Sequence, residues 1–267
     1  MADDSNQLPN MQPPDGWGTD ELTKFQSYAQ NNEFALFEDF KEAYGLLIMV
    51  DAYTYEAAKF AIMHAHHKDN ARGYLLFINA NNHLRASVRL LAAGQCLSVY
   101  PVGRAALESA LYGWLLLSED GADELWQNRP SKKDKGASNV WNNTFQFSNI
   151  SRKVKVINPE IGEMLKALHQ LAIDFGAHPN VDALNSNLNF KTSEDGHSQI
   201  EHIFLHQRGA VFSLALKFHL ETGITILELI AMAAPDFERL MLISNKIAEL
   251  KHAYHQLMNM LQAEVRG

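Results

Sequence analysis

The chain has 267 residues, of which 46% are hydrophobic and 20% charged, a globular composition that excludes a disordered, collagen-like or fibrous protein. Its fifteen Gly and eight Pro are too few for a loop-rich all-β protein of this size, which favours helices. The formal charge of −8 argues against a protein that coats nucleic acid over its whole surface. The single cysteine, Cys96, excludes an internal disulfide and a metal–thiolate cluster.

The N-terminal residues 1–18 are polar and contain Pro9, Pro13 and Pro14, which predicts a disordered leader. This leader carries aspartates but neither Lys nor Arg, so we expect no signal peptide. The longest apolar stretch without a charge, residues 90–103, is shorter than the roughly 18 residues that span a bilayer. These features predict a soluble, cytoplasmic protein with no membrane contact.

Helical spacing of apolar residues predicts the N-terminal part of a helical bundle over residues 19–129. Thr19 is a suitable N-cap for the first helix, because acidic residues follow it. Helices are expected to continue through residues 55–67 and 72–99, and Pro101 to mark the joint with the next helix. Six apolar residues share one face early in this part: Phe34, Phe37, Phe40, Tyr44, Leu47 and Ile48.

Residues 130–157 begin without helical periodicity, and we predict a long basic connector. The segment from Arg129 to Lys155 has a net charge of +6, so the rest of the chain carries −14. Its basic and aromatic residues are interleaved, which suits single-stranded nucleic acid, because cations bind phosphates and aromatic rings stack on bases. The predicted nucleic-acid-binding residues are Lys132, Lys133, Lys135, Trp141, Arg152, Lys153 and Lys155, with Phe145 and Phe147 as further aromatics. The alternative is a solvated segment whose aromatic rings pack back onto the bundle.

Residues 158–267 are predicted to form C-terminal helices that pack on the same bundle. The run Asn158-Pro159-Glu160 is typical of a helix start, and this helix is expected to end near Gly176. A second polar connector is expected over residues 180–196.

A further helix is predicted from Ser198 and Glu201, which have the spacing of a capping box. We expect it to run through Phe218. Gly223 is then expected to separate it from a short apolar segment over residues 224–234.

The last helix is predicted to begin at Pro235, because acidic residues follow the proline. Its apolar residues recur at alternating steps of three and four: Leu240, Ile243, Ile247, Leu250, Tyr254, Leu257 and Leu261. This pattern is typical of a seam between near-parallel helices, either within a bundle or at a dimer interface. No strand pattern persists for more than a few residues, so the predicted fold is all-α, a helical bundle with a long C-terminal helix.

The twelve His residues are candidates for a metal site. Two pairs would each share a helix face, and a further His or acid could complete the ligand set. The paired candidates are His64 with His67 and His202 with His206, and the further ligand would be His178, Glu201 or Asp174. His-Glu-x-x-His and paired Cys signatures are absent, so the metal and any other cofactor are left open. The alternative is that these imidazoles are exposed or hydrogen-bond to carbonyl groups.

Arg104 and Glu108 are four residues apart on a predicted helix, so their side chains can form an ion pair. Such a pair amid apolar residues usually fixes packing, and the alternative is that it lines a polar site. With His178 as acid or base and Arg104 holding a phosphate, the candidate catalytic residues are Arg104, Glu108 and His178.

Four short runs resemble a group of uncharacterised all-helical bacterial proteins that are distantly similar to HEPN bundles. The runs are ANNHLRAS (residues 80–87), LLAAG (90–94), RAALESAL (104–111) and FGAHPN (175–180). The resemblance implies a cytoplasmic, dimeric, all-α protein and no established activity. Active HEPN ribonucleases carry an Arg followed a few residues later by a His, and no Arg of this sequence is followed in that way. We therefore do not expect that nuclease mechanism.

Two functions follow from these features. The first is a non-catalytic or degenerate HEPN-like protein, a homodimer through bundle helices, with a regulatory or defence role that involves RNA or a protein partner. The second is a metal-dependent or Arg/His-based hydrolase with its site between helices. A plain helical scaffold is the third alternative, and whether the chain is an enzyme is left open.

Overall fold

The computed structural model describes residues 12–65, 71–131, 133–177, 181–192 and 198–266, and these residues confirm the all-α prediction. The α-helices are α1 (Glu21–Asp39), α2 (Lys41–Ala65), α3 (Ala71–Ala92), α4 (Cys96–Ser118), α5 (Ala122–Gln127), α6 (Lys135–Phe145), α7 (Phe147–Ile157), α8 (Pro159–Ala172), α9 (Val181–Asn185), α10 (Ala210–Ala233), α11 (Pro235–Met241) and α12 (Ile243–Arg266). A π-helical turn, Ile173–Ala177, continues α8. Two short antiparallel strands, β1 (Leu188–Thr192) and β2 (Ser198–His202), form a hairpin.

Helix α10 is the central element of the bundle, and α2, α3, α4, α8 and α12 all pack against it. It is the one described helix that is long and apolar enough to span a membrane, but 72% of that stretch is buried inside the protein. Its apolar side chains therefore fill the core, with Phe218 among the largest fully buried side chains.

Gly223 does not interrupt α10, so the predicted helix end at this residue is wrong. A Cβ at Gly223 would overlap Cγ1 of Val50 on α2 and would lie 3.4 Å from Cδ2 of Leu84 on α3. The missing side chain thus allows three helices to approach closely.

The joint between α3 and α4 lies at Gly94 and not at the predicted Pro101, which sits in the second turn of α4. Gly94 adopts a left-handed conformation with φ of +85°, and its N–H donates to the carbonyl of Leu91 at 2.9 Å. The N–H of Gln95 donates to the carbonyl of Leu90 at 2.8 Å. These two bonds form a Schellman motif, which ends α3.

The segment predicted to be an irregular connector forms α6 and α7. The Asp134 carboxylate caps α6 by accepting a hydrogen bond from the Ala137 N–H at 3.0 Å. A break at Gln146 separates the two helices, and each is only 11 residues long. The prediction failed because neither helix is long enough to display a clear period.

Residues 198–202 form a strand and not the predicted helix start. Phe190 in β1 pairs with Ile200 in β2 in this hairpin, and α10 begins only at Ala210. The capping-box spacing was misleading, because the apolar residues of both segments alternate with polar ones, as in a strand.

Pro235 opens α11 as predicted, but this helix ends at Met241 and α12 begins after Leu242. Leu242 has a φ of +50°, which breaks the helix. Five of the six seam residues within α12 are buried inside the chain: Ile243, Ile247, Leu250, Tyr254 and Leu257. The sixth, Leu261, is partly buried against the same core. The seam therefore belongs to the bundle and not to a dimer interface, while Leu240 is exposed.

The predicted start of α8 is confirmed, whereas the predicted N-cap of α1 is wrong by one residue. The N-cap of α1 is Asp20 and not Thr19, because an Asp20 carboxylate oxygen accepts from the Thr23 N–H at 2.9 Å. The start of α8 is confirmed, with the Asn158 side chain accepting from the Ile161 N–H at 3.2 Å. Residues 1–11 of the predicted leader lie outside the described residues.

Candidate functional site: a basic cleft

A polar cleft of about 760 Å³ lies where α4, α7 and α8 meet. We call it the basic cleft, because its charged lining consists of four cations and two carboxylates. They are Arg104 and Glu108 of α4, Arg152 and Lys155 of α7, and Glu163 and Lys166 of α8. His169 of α8 also lines it.

Two close contacts hold α7 in place at this cleft. The Tyr112 hydroxyl of α4 donates to the carbonyl of Phe145, the last residue of α6, at 2.6 Å, two residues before α7 begins. On the other side, a Cβ at Gly162 of α8 would overlap Cα and Cβ of Lys155. Glycine at this position therefore lets α7 and α8 cross closely, which brings Lys155 beside the carboxylate of Glu163.

The predicted Arg104–Glu108 pair is present and includes a third member. The Arg104 Nε donates to Oε1 of Glu108 at 2.7 Å, and Nε2 of His169 lies 3.3 Å from the same oxygen. Burial raises the pKa of Glu108, but the hydrogen bonds from His169 and Arg104 outweigh it, so the pKa lies below its usual value. The His169 ring stacks on Phe147 with their centroids 3.7 Å apart, which fixes the orientation of the imidazole.

Both carboxylates of the basic cleft are already engaged. Glu108 binds Arg104 and His169, while Glu163 forms an ion pair with Lys155, whose hydrogen bond lowers the pKa of that carboxyl. Arg152 and Lys166 form no ion pair within 4 Å in the described ranges. Within those ranges, Lys166 acts on Glu163 only through its charge, and Arg152 donates only to the side chain of Asn149. The cleft therefore has an excess of positive charge that is available to an anion.

The predicted nucleic-acid-binding residues divide into separate groups. Arg152 and Lys155 line the basic cleft, whereas Lys153 forms an ion pair with Glu119 outside it. Lys133 and Lys135 are exposed at the start of α6. Lys132 lies outside the described residues.

The aromatic residues of the same segment pack onto the bundle, as the alternative interpretation held. Phe145 is fully buried, so it cannot stack on a base. Trp141 packs against Phe145, and the Arg129 guanidinium lies 4.3 Å from the Trp141 ring centroid. The Trp141 Nε1 is buried without a hydrogen-bond partner among the described atoms.

His178 of the candidate catalytic set lies outside the described residues. The imidazole that contacts Glu108 is that of His169, which was not among the predicted site residues. Lys166 was missed as well. His169 and Lys166 lie on the polar side of α8, opposite Leu165 and Leu168, which face the core. Every amphipathic helix has a polar side, so this position alone does not mark a functional residue.

The candidate metal ligands are not brought together by the described structure. The His64 side chain and His67 lie outside the described residues. His202 ends β2, and His206 lies in the following loop with Nε2 2.8 Å from Oδ1 of Asn187, so their predicted shared helix face is wrong. Within the described ranges, no group of three His, Cys, Asp or Glu side chains is arranged to hold a metal ion.

No family model matches the chain, and no curated protein or solved structure is significantly similar to it. The resemblance to HEPN bundles stays a prediction. The functional proposal therefore rests on the chemistry of the basic cleft.

Proposed function

We propose that this chain is a non-catalytic, HEPN-like regulatory protein that binds RNA through the phosphates held in the basic cleft. One observation carries the proposal: three helices direct four cations into a single cleft whose two carboxylates are already paired. A guanidinium can hold a phosphate through two parallel hydrogen bonds, and an ammonium adds charge without fixing the geometry. Arg152 and Lys166 are the cations that an incoming phosphate would engage first.

The expected binding is modest in affinity and depends strongly on salt. For single strands, each neutralised phosphate contributes about −0.7 to the slope of log affinity against log salt concentration. Four cations thus set an upper limit of about −3 on the slope. Trp141 and Phe145 pack on the bundle, and the Phe147 ring in the cleft already stacks on His169, so we expect little discrimination between bases.

The test compares two double variants that remove the same charge. Fluorescence anisotropy would measure the affinity for a labelled single-stranded RNA of mixed sequence over a range of salt concentrations. Arg152→Gln with Lys166→Gln should weaken binding at least about tenfold at low salt and reduce the slope by about 1.4. Lys133→Gln with Lys135→Gln, outside the cleft near the start of α6, should leave both the affinity and the slope nearly unchanged.

The outcome distinguishes the basic cleft from a diffuse positive surface. Equal losses in the two double variants would place binding along the whole basic segment and contradict the cleft as the site. Unchanged affinity in the Arg152 and Lys166 variant would overturn the proposal, whether or not the chain binds RNA elsewhere.

The contact between Glu108 and His169 favours a second candidate, an Arg/His-based hydrolase of a phosphate ester. A carboxylate that orients an imidazole is a recurring arrangement for a general acid or base, and Arg104 stands beside it. In this candidate His169 moves the proton and the cations of the cleft hold the phosphate.

RNA incubated with the protein in the presence of a chelator tests this second candidate. The wild-type chain should release fragments, and His169→Gln should abolish their release while the anisotropy affinity stays within about twofold, because Gln retains a donor near Glu108. Intact RNA with the wild-type chain, or cleavage that survives His169→Gln, would exclude His169 as the catalytic group and leave the binding function.

A further inference from the structure

A second pocket of about 630 Å³ lies on the other side of α8, between α8, α10 and α12. It shares no lining residue with the basic cleft. Apolar side chains form most of its wall, among them Met164, Leu214, Ile224, Met258 and Leu261. We call it the α10–α12 pocket. Its volume and apolar lining are those of pockets that take small molecules.

The Glu221 carboxylate of the α10–α12 pocket already accepts hydrogen bonds from two neighbouring side chains. The Lys217 ammonium donates to both carboxylate oxygens of Glu221 at 2.7 Å, and the Tyr254 hydroxyl donates to Oε1 of the same carboxylate at 2.6 Å. Burial, together with the bond to Glu221, raises the pKa of Tyr254, so this hydroxyl remains a donor. The Glu221 carboxylate therefore has little capacity left for a ligand.

The Glu228 carboxylate of this pocket, in contrast, can still accept a hydrogen bond from a ligand. The Lys251 ammonium lies 2.7 Å from Oε1 of Glu228 and 3.0 Å from Oε1 of Glu160. The Glu228 side chain is only 12% exposed, and Lys251 is the one described residue with which it forms an ion pair. A carboxylate can accept about four hydrogen bonds, so a single shared ammonium leaves it acceptor capacity. Burial raises the pKa of Glu228 by more than the hydrogen bond and charge of Lys251 lower it.

We infer that the α10–α12 pocket binds a small amphipathic amine, with the apolar body against Leu214 and Met258 and the ammonium on the Glu228 carboxylate. Besides the His255 imidazole, three carboxylates and two ammonium groups line the pocket, so one carboxylate has no ammonium of its own and the charge that the pocket lacks is positive. A carboxylate ligand would meet Lys217 and Lys251 only after displacing the carboxylates that already occupy them. A neutral ligand could at best donate an uncharged hydrogen bond to Glu228, which is weaker than the bond from an ammonium.

Three probes of equal chain length separate these ligand classes on the full chain. Isothermal titration calorimetry with decylamine, decanol and decanoate, each below its micelle-forming concentration, would report affinity and stoichiometry. Decylamine should bind with one molecule per chain, decanol about tenfold more weakly and decanoate weakest, because a charged hydrogen bond within a buried site is worth at least that factor. Equal or tighter binding of decanoate, or no binding of decylamine, would overturn the inference.

Methionine methyl groups localise the probe. In a sample labelled with ¹³C at the methionine methyl groups, decylamine should shift the resonances of Met164 and Met258, which line the pocket. The resonance of Met63, exposed on α2 and outside the pocket, should not move. Decylamine binding that leaves Met164 and Met258 unmoved would place the ligand elsewhere and contradict the inference.

Two isosteric variants test the carboxylate. Glu228→Gln keeps the size of the side chain and should weaken decylamine binding about tenfold while leaving decanol binding unchanged. Glu38→Gln makes the same charge change at an exposed position on α1 and should leave both affinities unchanged. Equal weakening in the two variants would indicate a general charge effect and would refute the role of Glu228.

Discussion

At the scale of single residues, His219 shows how burial turns a titratable group into a determinant of stability. It lies in the middle of α10, and its Nδ1 is 3.1 Å from Oγ of Ser87 on α3. Burial lowers the pKa of His219 to about 4, an effect that the charge of Asp51 only partly opposes. The native state therefore keeps this imidazole neutral at pH values at which the unfolded chain protonates it.

We expect the free energy of unfolding to fall as the pH drops from about 6.5 to about 4. In that range the unfolded chain binds a proton at His219 and the folded chain does not, which is worth about 2 kcal/mol between pH 7 and pH 5. Urea unfolding of the wild type and of His219→Asn, which retains a polar amide near Ser87, would measure this pH dependence of the free energy of unfolding. The variant should be less stable at pH 7 but lose about 2 kcal/mol less on acidification; equal pH dependence of the two proteins would refute this role.

The residues of the basic cleft differ in how far sequence could identify them. Arg104 and Glu108 could be paired, because four residues on a helix make one turn and the contact is local. His169 is 61 residues from Glu108 along the chain, so only the packing of α8 against α4 creates that contact. His202 and His206 were wrongly predicted to share a helix face. In the structure a strand ends at His202 and a loop follows, so the four-residue spacing does not bring the two side chains together.

At the scale of elements, one glycine ends a helix and another lies inside one, and the sequence alone does not distinguish the two roles. Gly94 ends α3 because its backbone is left-handed, whereas Gly223 lies inside α10 because Val50 leaves no room for a Cβ. The break between α11 and α12 occurs at Leu242, a residue that rarely adopts a left-handed conformation and so gave no signal. Helix existence was thus predictable over most of the chain, while helix ends depended on backbone and packing.

Gly223→Ala should destabilise the protein although alanine is the better helix former. The gain in helix propensity is about 1 kcal/mol, but the new methyl group would overlap the branched side chain of Val50, and overpacking of this kind costs about 1–3 kcal/mol. We therefore expect a net loss of up to about 2 kcal/mol in the free energy of unfolding. Gly45→Ala is the matched control: no atom lies within 4 Å of its Cβ position, so it should stabilise α2 by about 0.5–1 kcal/mol. Chemical denaturation of both variants measures these changes, and a stabilised Gly223→Ala would contradict the close approach of α10 and α2.

At the scale of the whole molecule, the buried seam of α12 changes where a second copy could bind. The seam residues pack within the chain, so the predicted homodimer requires another surface. Phe34 and Phe37 on α1 and Ile48 on α2 are 61%, 51% and 53% exposed, and the Phe37 ring contacts Tyr44 at 5.0 Å between centroids. These side chains were predicted to share one helix face because they recur with a helical period. A period identifies an apolar face but not whether the same chain covers it.

We expect the protein to be a dimer at micromolar concentration, with this α1–α2 surface as the two-fold interface. An uncovered apolar patch that is identical in both copies can bury itself against its own mate. Phe37→Lys with Ile48→Lys should convert the dimer to a monomer in native mass spectrometry, because the two copies would bring like charges together in a desolvated interface. Phe190→Lys with Ile200→Lys places the same charges on the exposed face of the β-hairpin and should leave the dimer intact. A wild-type monomer would contradict the dimer itself, and a monomer produced only by the hairpin variant would move the interface to the β-hairpin.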